Sequence, residues 1–371
     1  MTQSVFVRSA LVTAVASATL STFAHGALPA TRHEASVRSM AMSGAMLALA
    51  DDAGAISSNP AGLAVFANAE TQQTEVSLKY GVTPADSATP RSNDVSEISL
   101  LFARGKDNQG FGLGFWDAGT LTLLMPPSQK EGLSQKIDFG SWELTAAKAY
   151  RFGRLNVGGS LSMGWCGPDE DQSGIDSDDV FYNAQLGAQY AVFNDYLDIG
   201  NTSTQLEVRL GARYQTESTA KPFTDFYRHP WRDIKVTAVP ENVGAGAHVG
   251  LGWISEWLVW HLNLTGDYST SSYGSMGQFW GAPEISAIQV NRLAFGSELT
   301  LSRLNSPWQV ALRAGTAQQT SDLEAFNSRE ISAGVALKHN HFNLELSAVQ
   351  GEADTSSTRD TTWAGALTWA W

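Results

Sequence analysis

The sequence has a single cysteine, little charge and no long apolar run beyond its first residues. Cys166 alone excludes an intrachain disulfide, and no cysteine stands near the expected export site to carry a lipid anchor. Charged residues are only 16% of the chain, and 24 Lys and Arg are outnumbered by 37 Asp and Glu, a formal net charge of −13. With no basic cluster, that balance excludes a nucleic-acid footprint. After the first 25 residues there is no apolar stretch long enough for a transmembrane helix, which needs about 18 or more residues.

What the chain does have is 34 Gly, 12 Trp and 10% aromatic residues, a composition of strand and turn formers. It begins with an export signal. Arg8 is the only charge in the first 24 residues, and an apolar stretch runs from Ala10 to Leu20. Thr22-Phe23-Ala24 then fits the small-x-small rule, so cleavage is expected after Ala24, with Gly26 as an alternative.

From Thr74 onward apolar and small or polar residues alternate. In Val243–Trp253, the odd positions Val243, Ala245, Ala247, Val249, Leu251 and Trp253 share one face, and Gly244, Gly246, His248, Gly250 and Gly252 the other. Leu155–Trp165 and Leu206–Tyr214 repeat the pattern, the latter with Glu207 and Arg209 on its polar face. Only a strand produces such faces. Strands are predicted near 74–82, 95–104, 109–117, 136–150, 154–166, 180–192, 196–214, 236–253, 257–268, 288–302, 307–316, 329–338, 341–349 and 361–371.

Tight turns are expected at Lys106-Asp107-Asn108, Phe152-Gly153, Asn194-Asp195, Ser255-Glu256, Leu304-Asn305 and His339-Asn340. Longer loops such as 167–179, 215–235 and 269–287 fall between them. This alternation, with charges such as Glu298, Arg313 and Glu345 kept to one face, predicts a transmembrane antiparallel β-barrel of about fourteen strands in a bacterial outer membrane. Aromatics at strand ends, among them Phe115, Trp116, Trp165, Trp253, Trp308 and Trp371, are expected to form interfacial girdles. Trp363, Gly365, Leu367, Trp369 and Trp371 form one lipid-facing row, and Trp369 and Trp371 resemble a C-terminal signal for the barrel-assembly machinery.

Residues 25–73 do not alternate. Ala41–Ala50 reads as a helix rich in small residues, and Asn59-Pro60 as the N-cap and first position of another. A barrel of this size has room for such a segment as a plug. The expected organisation is a signal peptide over 1–24, an N-terminal helical hatch over 25–73 and the barrel over 74–371.

At Ala50-Asp51-Asp52-Ala53 and Asn59-Pro60-Ala61-Gly62-Leu63 the chain resembles the long-chain fatty-acid transporter (FadL-type) barrels. The resemblance implies a monomer, a hatch inside the lumen and uptake of hydrophobic small molecules such as a long-chain fatty acid. Related barrels share the motif without that activity, so a structural or assembly-partner barrel with a sealed lumen stays open beside it.

No catalytic residue, metal site or cofactor is expected. His339 and His341 flank a turn, and nothing places His248 beside Ser160 or Ser162 as a dyad. The acidic loop Asp169–Asp179 lacks EF-hand spacing and reads as solvated, or as bridged to lipopolysaccharide through divalent ions. His248, Glu207, Arg209 and Arg313 are expected in the lumen. Gly110, Gly112, Gly114, Gly244, Gly246 and Gly250 are expected to thin the wall against the hatch, or to mark a sideways opening at the third strand.

Overall fold

The computed structural model describes residues 31–32, 34–67, 73–83, 95–125, 135–168, 179–199, 202–220, 236–255, 257–273, 288–321, 327–353 and 359–371. The expected export signal and most of the acidic loop lie outside these residues. Among the described residues, fourteen strands of 11 to 21 residues form the wall. They are β1 (Gln73–Thr83), β2 (Val95–Lys106), β3 (Gln109–Met125), β4 (Gln135–Phe152), β5 (Leu155–Pro168), β6 (Asp179–Ile199) and β7 (Thr202–Gln215). There follow β8 (Glu241–Ile254), β9 (Leu258–Tyr273), β10 (Ile288–Arg303), β11 (Trp308–Ser321), β12 (Ser328–His339), β13 (Phe342–Ala353) and β14 (Arg359–Ala370).

Each strand pairs antiparallel with the next, and β14 returns to β1 with Leu367 opposite Leu78, closing the barrel. Period-two alternation then sets the two faces. On β14, Trp363, Leu367 and Trp369 are exposed outward while Ala364, Ala366 and Thr368 are buried inward. The same exterior row of Leu, Val and Tyr recurs around the wall, an apolar band of the kind that faces lipid in outer-membrane barrels. Aromatic rings pair across strands at both ends of that band: Phe115 stacks on Trp142 and Trp165, and Phe342 on Trp369.

The tight turns use residues that tolerate left-handed backbone. Asp107 and Asn108 have φ of 53° and 63°, and Asn305 and Asn340 have 62° and 51°. These turns and the last residue, Trp371, share one end of the barrel, where Thr74 and Trp371 exchange backbone bonds of 2.9 Å.

Four expectations are corrected. Asn194 and Asp195 are not a turn: β6 runs on to Ile199, with Asn194 opposite Glu207 and a bulge between Ala191 and Phe193. The strand expected over 236–253 is interrupted at Pro240, which has no N–H for a ladder; Val236–Val239 instead pairs with Ser218–Ala220. Trp116 is not a girdle residue. Adjacent residues of a strand face opposite ways, so with Phe115 outward Trp116 turns into the lumen, where it is buried.

The fourth concerns the hatch. The helix is Val37–Ala41, α1, capped by Ser36, and the run from Met42 to Ala50 is a series of turns with Ser43 and Gly44 at φ 48° and 69°. Wall side chains take the places of intrahelical partners there. Asp267 accepts from the Leu47 N–H at 2.7 Å, Ser332 donates to Ala41 O at 2.9 Å and Arg292 to Ser43 O at 2.9 Å. A second short helix, α2 (Ala55–Ser58), leads into a 3-10 helix over Pro60–Phe66.

Candidate functional site

The hatch travels around the inside of the wall, and a belt of glycines makes room for it. A Cβ at Gly315 would overlap the Met42 backbone, and one at Gly211 the Leu47 backbone. Gly158 meets Pro60, Gly187 the Asn59 side chain, Gly110 the Leu63 carbonyl and Gly105 that of Phe66. Only glycine allows so close an approach of two backbones. Of the glycines singled out in the sequence, Gly110, Gly112, Gly244 and Gly246 face the hatch through Leu63, Ile56 and Leu47. Gly114 and Gly250 do not; they make room for the wall side chains Trp116 and His248.

Asn59 is the knot of the hatch. It is fully buried, its Oδ1 accepts from the Ala61 N–H at 3.2 Å, and its amide donates to Leu47 O at 2.6 Å. The same amide reaches Ala188 O and Ala212 O of the wall at 3.3 and 3.4 Å. The cap alone contributes about 0.5–2 kcal/mol; its further bonds join both ends of the hatch loop to β6 and β7. Pro60 occupies the first helical position, Ala61 and Leu63 are buried, and Gly62 lies against the Ala50 carbonyl.

Gln189, which sequence reasoning missed, donates to Leu47, Ala48 and Ala50 carbonyls at 3.3, 3.4 and 3.1 Å. Its place on the inward face of β6 was the available signal.

One side of the hatch is ionic. Arg38 of α1 grips Glu298 of β10 with two bonds of 2.9 and 2.7 Å and also pairs with Asp51 and Asp52 of the hatch. Glu298 is shared with Arg313, which bonds it at 2.6 Å and Glu345 at 2.6 Å. Asn263 donates to Glu298 at 3.0 Å, and His248 Nε2 contacts Asn263 Oδ1 at 2.9 Å. Arg209 pairs with Glu207 on β7. Arg38 is the second residue that sequence reasoning missed, although it is a lone charge amid small buried residues. Arg38, Asp51, Asp52, Glu298, Arg313 and Glu345 line a cavity of about 380 Å³ between the hatch and the tight-turn end of the barrel. That cavity is lined mainly by charged and polar side chains, so it is not an apolar binding pocket.

The opposite side is apolar. Ile56, Leu63, Ala64 and Phe66 of the hatch pack on Leu101, Ala103, Trp116 and Ala147 of β2, β3 and β4. Much of this cluster is alanine, so it buries little area per residue, and the Ser99 hydroxyl of β2 donates to the Ala35 carbonyl at its edge at 2.6 Å.

Directly above it the wall is broken. β2 and β3 pair from Lys106 opposite Gln109 only as far as Ser99 opposite Trp116. Beyond that, among the described wall strands, β2 continues through Glu97 to Val95 against β1 and β3 continues to Met125 against β4, with no pairing between β2 and β3. A bulge at Ala118 starts the departure; Asp117 accepts from the Gly119 N–H at 3.0 Å, and Gly119 has φ 133°. Thr31 and Arg32 pair with Thr120 and Gly119 there, so the chain leading into the hatch covers part of the freed edge.

The other candidates are not brought together. Ser162 bonds Thr145 at 2.6 Å and Ser160 contacts Gln185 at 3.4 Å, on β5 and its neighbours, whereas His248 is on β8. His339 stacks on Trp308, and His341 Nδ1 contacts Ala370 O at 2.7 Å. Trp369 and Trp371 are exposed outward at the tight-turn end, their ring centroids 5.0 Å apart.

A closed wall of fourteen strands, a hatch within it and a departure of β3 from β2 can be compared with solved structures. The architecture is that of the FadL-type barrels. A monoaromatic hydrocarbon channel, CymD, superposes with a TM-score of 0.51 at 11% identity, covering 90% of this chain and 96% of its own. The Ralstonia pickettii toluene transporter TbuX gives 0.50 at 14% identity, covering 90% and 97%. A Pseudomonas aeruginosa FadL homologue gives 0.50 at 9%, covering 93% and 98%. No protein-family model matches the sequence, and no curated protein does. At these identities the likeness to FadL-type barrels is one of fold.

Proposed function

We propose that this chain is an outer-membrane barrel that takes up hydrophobic small molecules and releases them sideways through the break between β2 and β3. The break carries the reading: a plugged barrel that had only to be strong would keep its ladder intact, and an unpaired edge in a membrane wall is costly. The hatch supports it, because the side that packs on β2–β4 is mainly apolar and small, whereas the opposite side is held by the Arg38 ion pairs. The CymD and TbuX structures are described as a hydrocarbon channel and a toluene transporter, which fits an apolar cargo. In this reading the export signal is removed near Ala24, residues 25–73 act as the hatch and residues 74–371 as the barrel. Lipid and lipopolysaccharide surround the wall, the row ending in Trp369 and Trp371 addresses the barrel-assembly machinery, the barrel works as a monomer, and it catalyses no reaction.

One observation favours the second reading, a sealed structural or assembly-partner barrel: the hatch touches the wall nearly all the way round. Deleting Ala118 separates the two. Removing the extra residue of the bulge returns β3 to alternating register and extends its ladder with β2. Uptake of a radiolabelled hydrocarbon by intact cells should then fall to that of cells without the protein, with the barrel still heat-modifiable on gels. Unchanged uptake in a barrel so assembled, or no uptake by the parent protein, favours the sealed barrel.

A further inference from the structure

At one place on the tight-turn end the charge balance of the chain is reversed. The whole sequence has 24 Lys and Arg against 37 Asp and Glu. Over Leu100–Trp116 and Leu144–Leu161, however, Arg104, Lys106, Lys148, Arg151 and Arg154 stand against a single acid, Asp107. These cations are spread along the chain, and the β2–β3 and β4–β5 hairpins gather them.

Three of them are on the outward face. Phe111 is exposed outward, and Arg104 and Lys148 are directly opposite it on either side. Lys106 lies two residues further along β2, opposite Gln109. Arg104 is engaged in an interaction of its own, whereas among the described residues neither lysine is in an ion pair.

Lys148 lies on the bilayer side of the aromatic girdle. Tyr150 and Phe152, stacked with ring centroids 6.3 Å apart, stand between it and the turn. Its ammonium is 5.0 Å from the Tyr150 ring centroid and so bends toward the girdle. A lysine on a lipid-facing wall extends in this way to bring its charge to headgroup level.

Beside it the wall has a groove. Gly159 is directly opposite Lys148, and Leu186 opposite Gly159, on the same outward face. A Cβ at Gly159 would meet Leu186 at 3.4 Å and the Gln185 carbonyl at 3.5 Å, both ordinary contacts, so the space above it is open. Leu161 and Leu186, both well exposed, wall that space.

We propose that Lys148 and Lys106 bind the phosphate of an anionic phospholipid in the periplasmic leaflet, with one acyl chain seated in the groove over Gly159. Charge complementarity chooses the headgroup. A phosphodiester without an amine leaves its negative charge to the two ammonium groups, whereas a zwitterionic headgroup brings its own cation. The groove gives the chain of a lipid a fixed seat, which a soluble anion does not use.

The test counts lipids retained by the full chain in native mass spectrometry, from a neutral detergent at pH 7.4. Dioleoylphosphatidylglycerol and dioleoylphosphatidylcholine are offered in equal amounts, and the glycerol form should be retained over the choline form by about tenfold. In Lys106→Gln/Lys148→Gln the ratio should fall to within about twofold. Both side chains are exposed, so this variant should stay heat-modifiable. Gly159→Leu fills the groove with both charges in place and should lower retention of phosphatidylglycerol. Arg303→Gln/Arg329→Gln removes two exposed cations elsewhere and should keep the parent's ratio. Equal retention of the two lipids by the parent overturns the proposal, as does an unchanged ratio in the assembled lysine variant. A control that lowers the ratio as much would make the preference one of net charge and overturn the site. Full displacement of the lipid by inorganic phosphate, or unchanged retention in Gly159→Leu, would overturn the seated lipid.

Discussion

Replacing Gly110 and Gly158 together by valine is expected to drive the hatch from the wall while leaving the barrel assembled. A Cβ at Gly110 would overlap the Leu63 carbonyl, and one at Gly158 the Pro60 carbonyl and the Ala61 nitrogen. A flexible side chain could turn aside; backbone held by Asn59 cannot, since its two ends are tied to Leu47, Ala188 and Ala212. Overpacking of this kind costs about 1–3 kcal/mol per site, and here both sites push on the same seven-residue 3-10 helix. The strands keep every ladder bond, so the variant should remain heat-modifiable. Cells carrying it should admit large antibiotics with a susceptibility increase on the order of tenfold, as for a wide barrel without its plug. Gly351→Val is the control, because a Cβ there meets nothing within 4 Å. Equal susceptibility of the double variant and this control would show that the belt does not hold the hatch.

The other large effect belongs to Arg38. Arg38→Met removes the cation shared by Glu298, Asp51 and Asp52, all at or below 29% side-chain exposure. Removing one partner of a buried pair costs about 3–5 kcal/mol, much of it from the stranded charge. Arg313 still bonds Glu298, so the wall network survives and the loss falls on the hatch. Hydrogen exchange should therefore quicken over residues 37–54 and stay slow in β10 and β11. Adding Glu298→Gln should return part of the protection, since the carboxylates that shared Arg38 then number one fewer. If the double variant exchanges as fast as the sum of the single changes, the pair is not coupled and the latch account is wrong.

The wall was legible because an apolar exterior and a filled lumen impose a strict period of two. Val243–Trp253 shows it without interruption, and its faces in the barrel are those of the sequence. Local chemistry blurred it where two signals competed. Asn194-Asp195 carries turn-forming residues, but pairing with Glu207 and Leu206 holds them in a strand. Trp116 looked like one of a series of end-of-strand aromatics until parity with Phe115 was followed through. Residues 41–50 have helical composition, yet helix propensity is worth only tenths of a kcal/mol per residue, less than the bonds offered by Asp267, Gln189 and Ser332 from strands far away in sequence.

The hatch motif was legible as an N-cap followed by proline; its glycine belt was legible only in part. Gly187, Gly211 and Gly315 meet the hatch because the chain circles the lumen, a path no local pattern encodes. Arg38 with Glu298 is likewise a pairing across 260 positions. The glycines of β3 pointed toward a sideways opening, but the break itself begins at Ala118, just beyond them. Nothing in the local sequence shows that Thr31 and Arg32 pair there.

The most direct measurement locks that pairing. Thr31 and Thr120 are directly opposite across the two antiparallel segments. Cysteines at both positions, with Cys166→Ser to leave no other thiol, should form a disulfide that fixes the leading segment over the break. Oxidised cells should then take up a radiolabelled hydrocarbon no faster than cells without the protein, and reduction should restore uptake within the same sample. Uptake that is unchanged by complete oxidation would mean that the cargo does not leave through the break between β2 and β3.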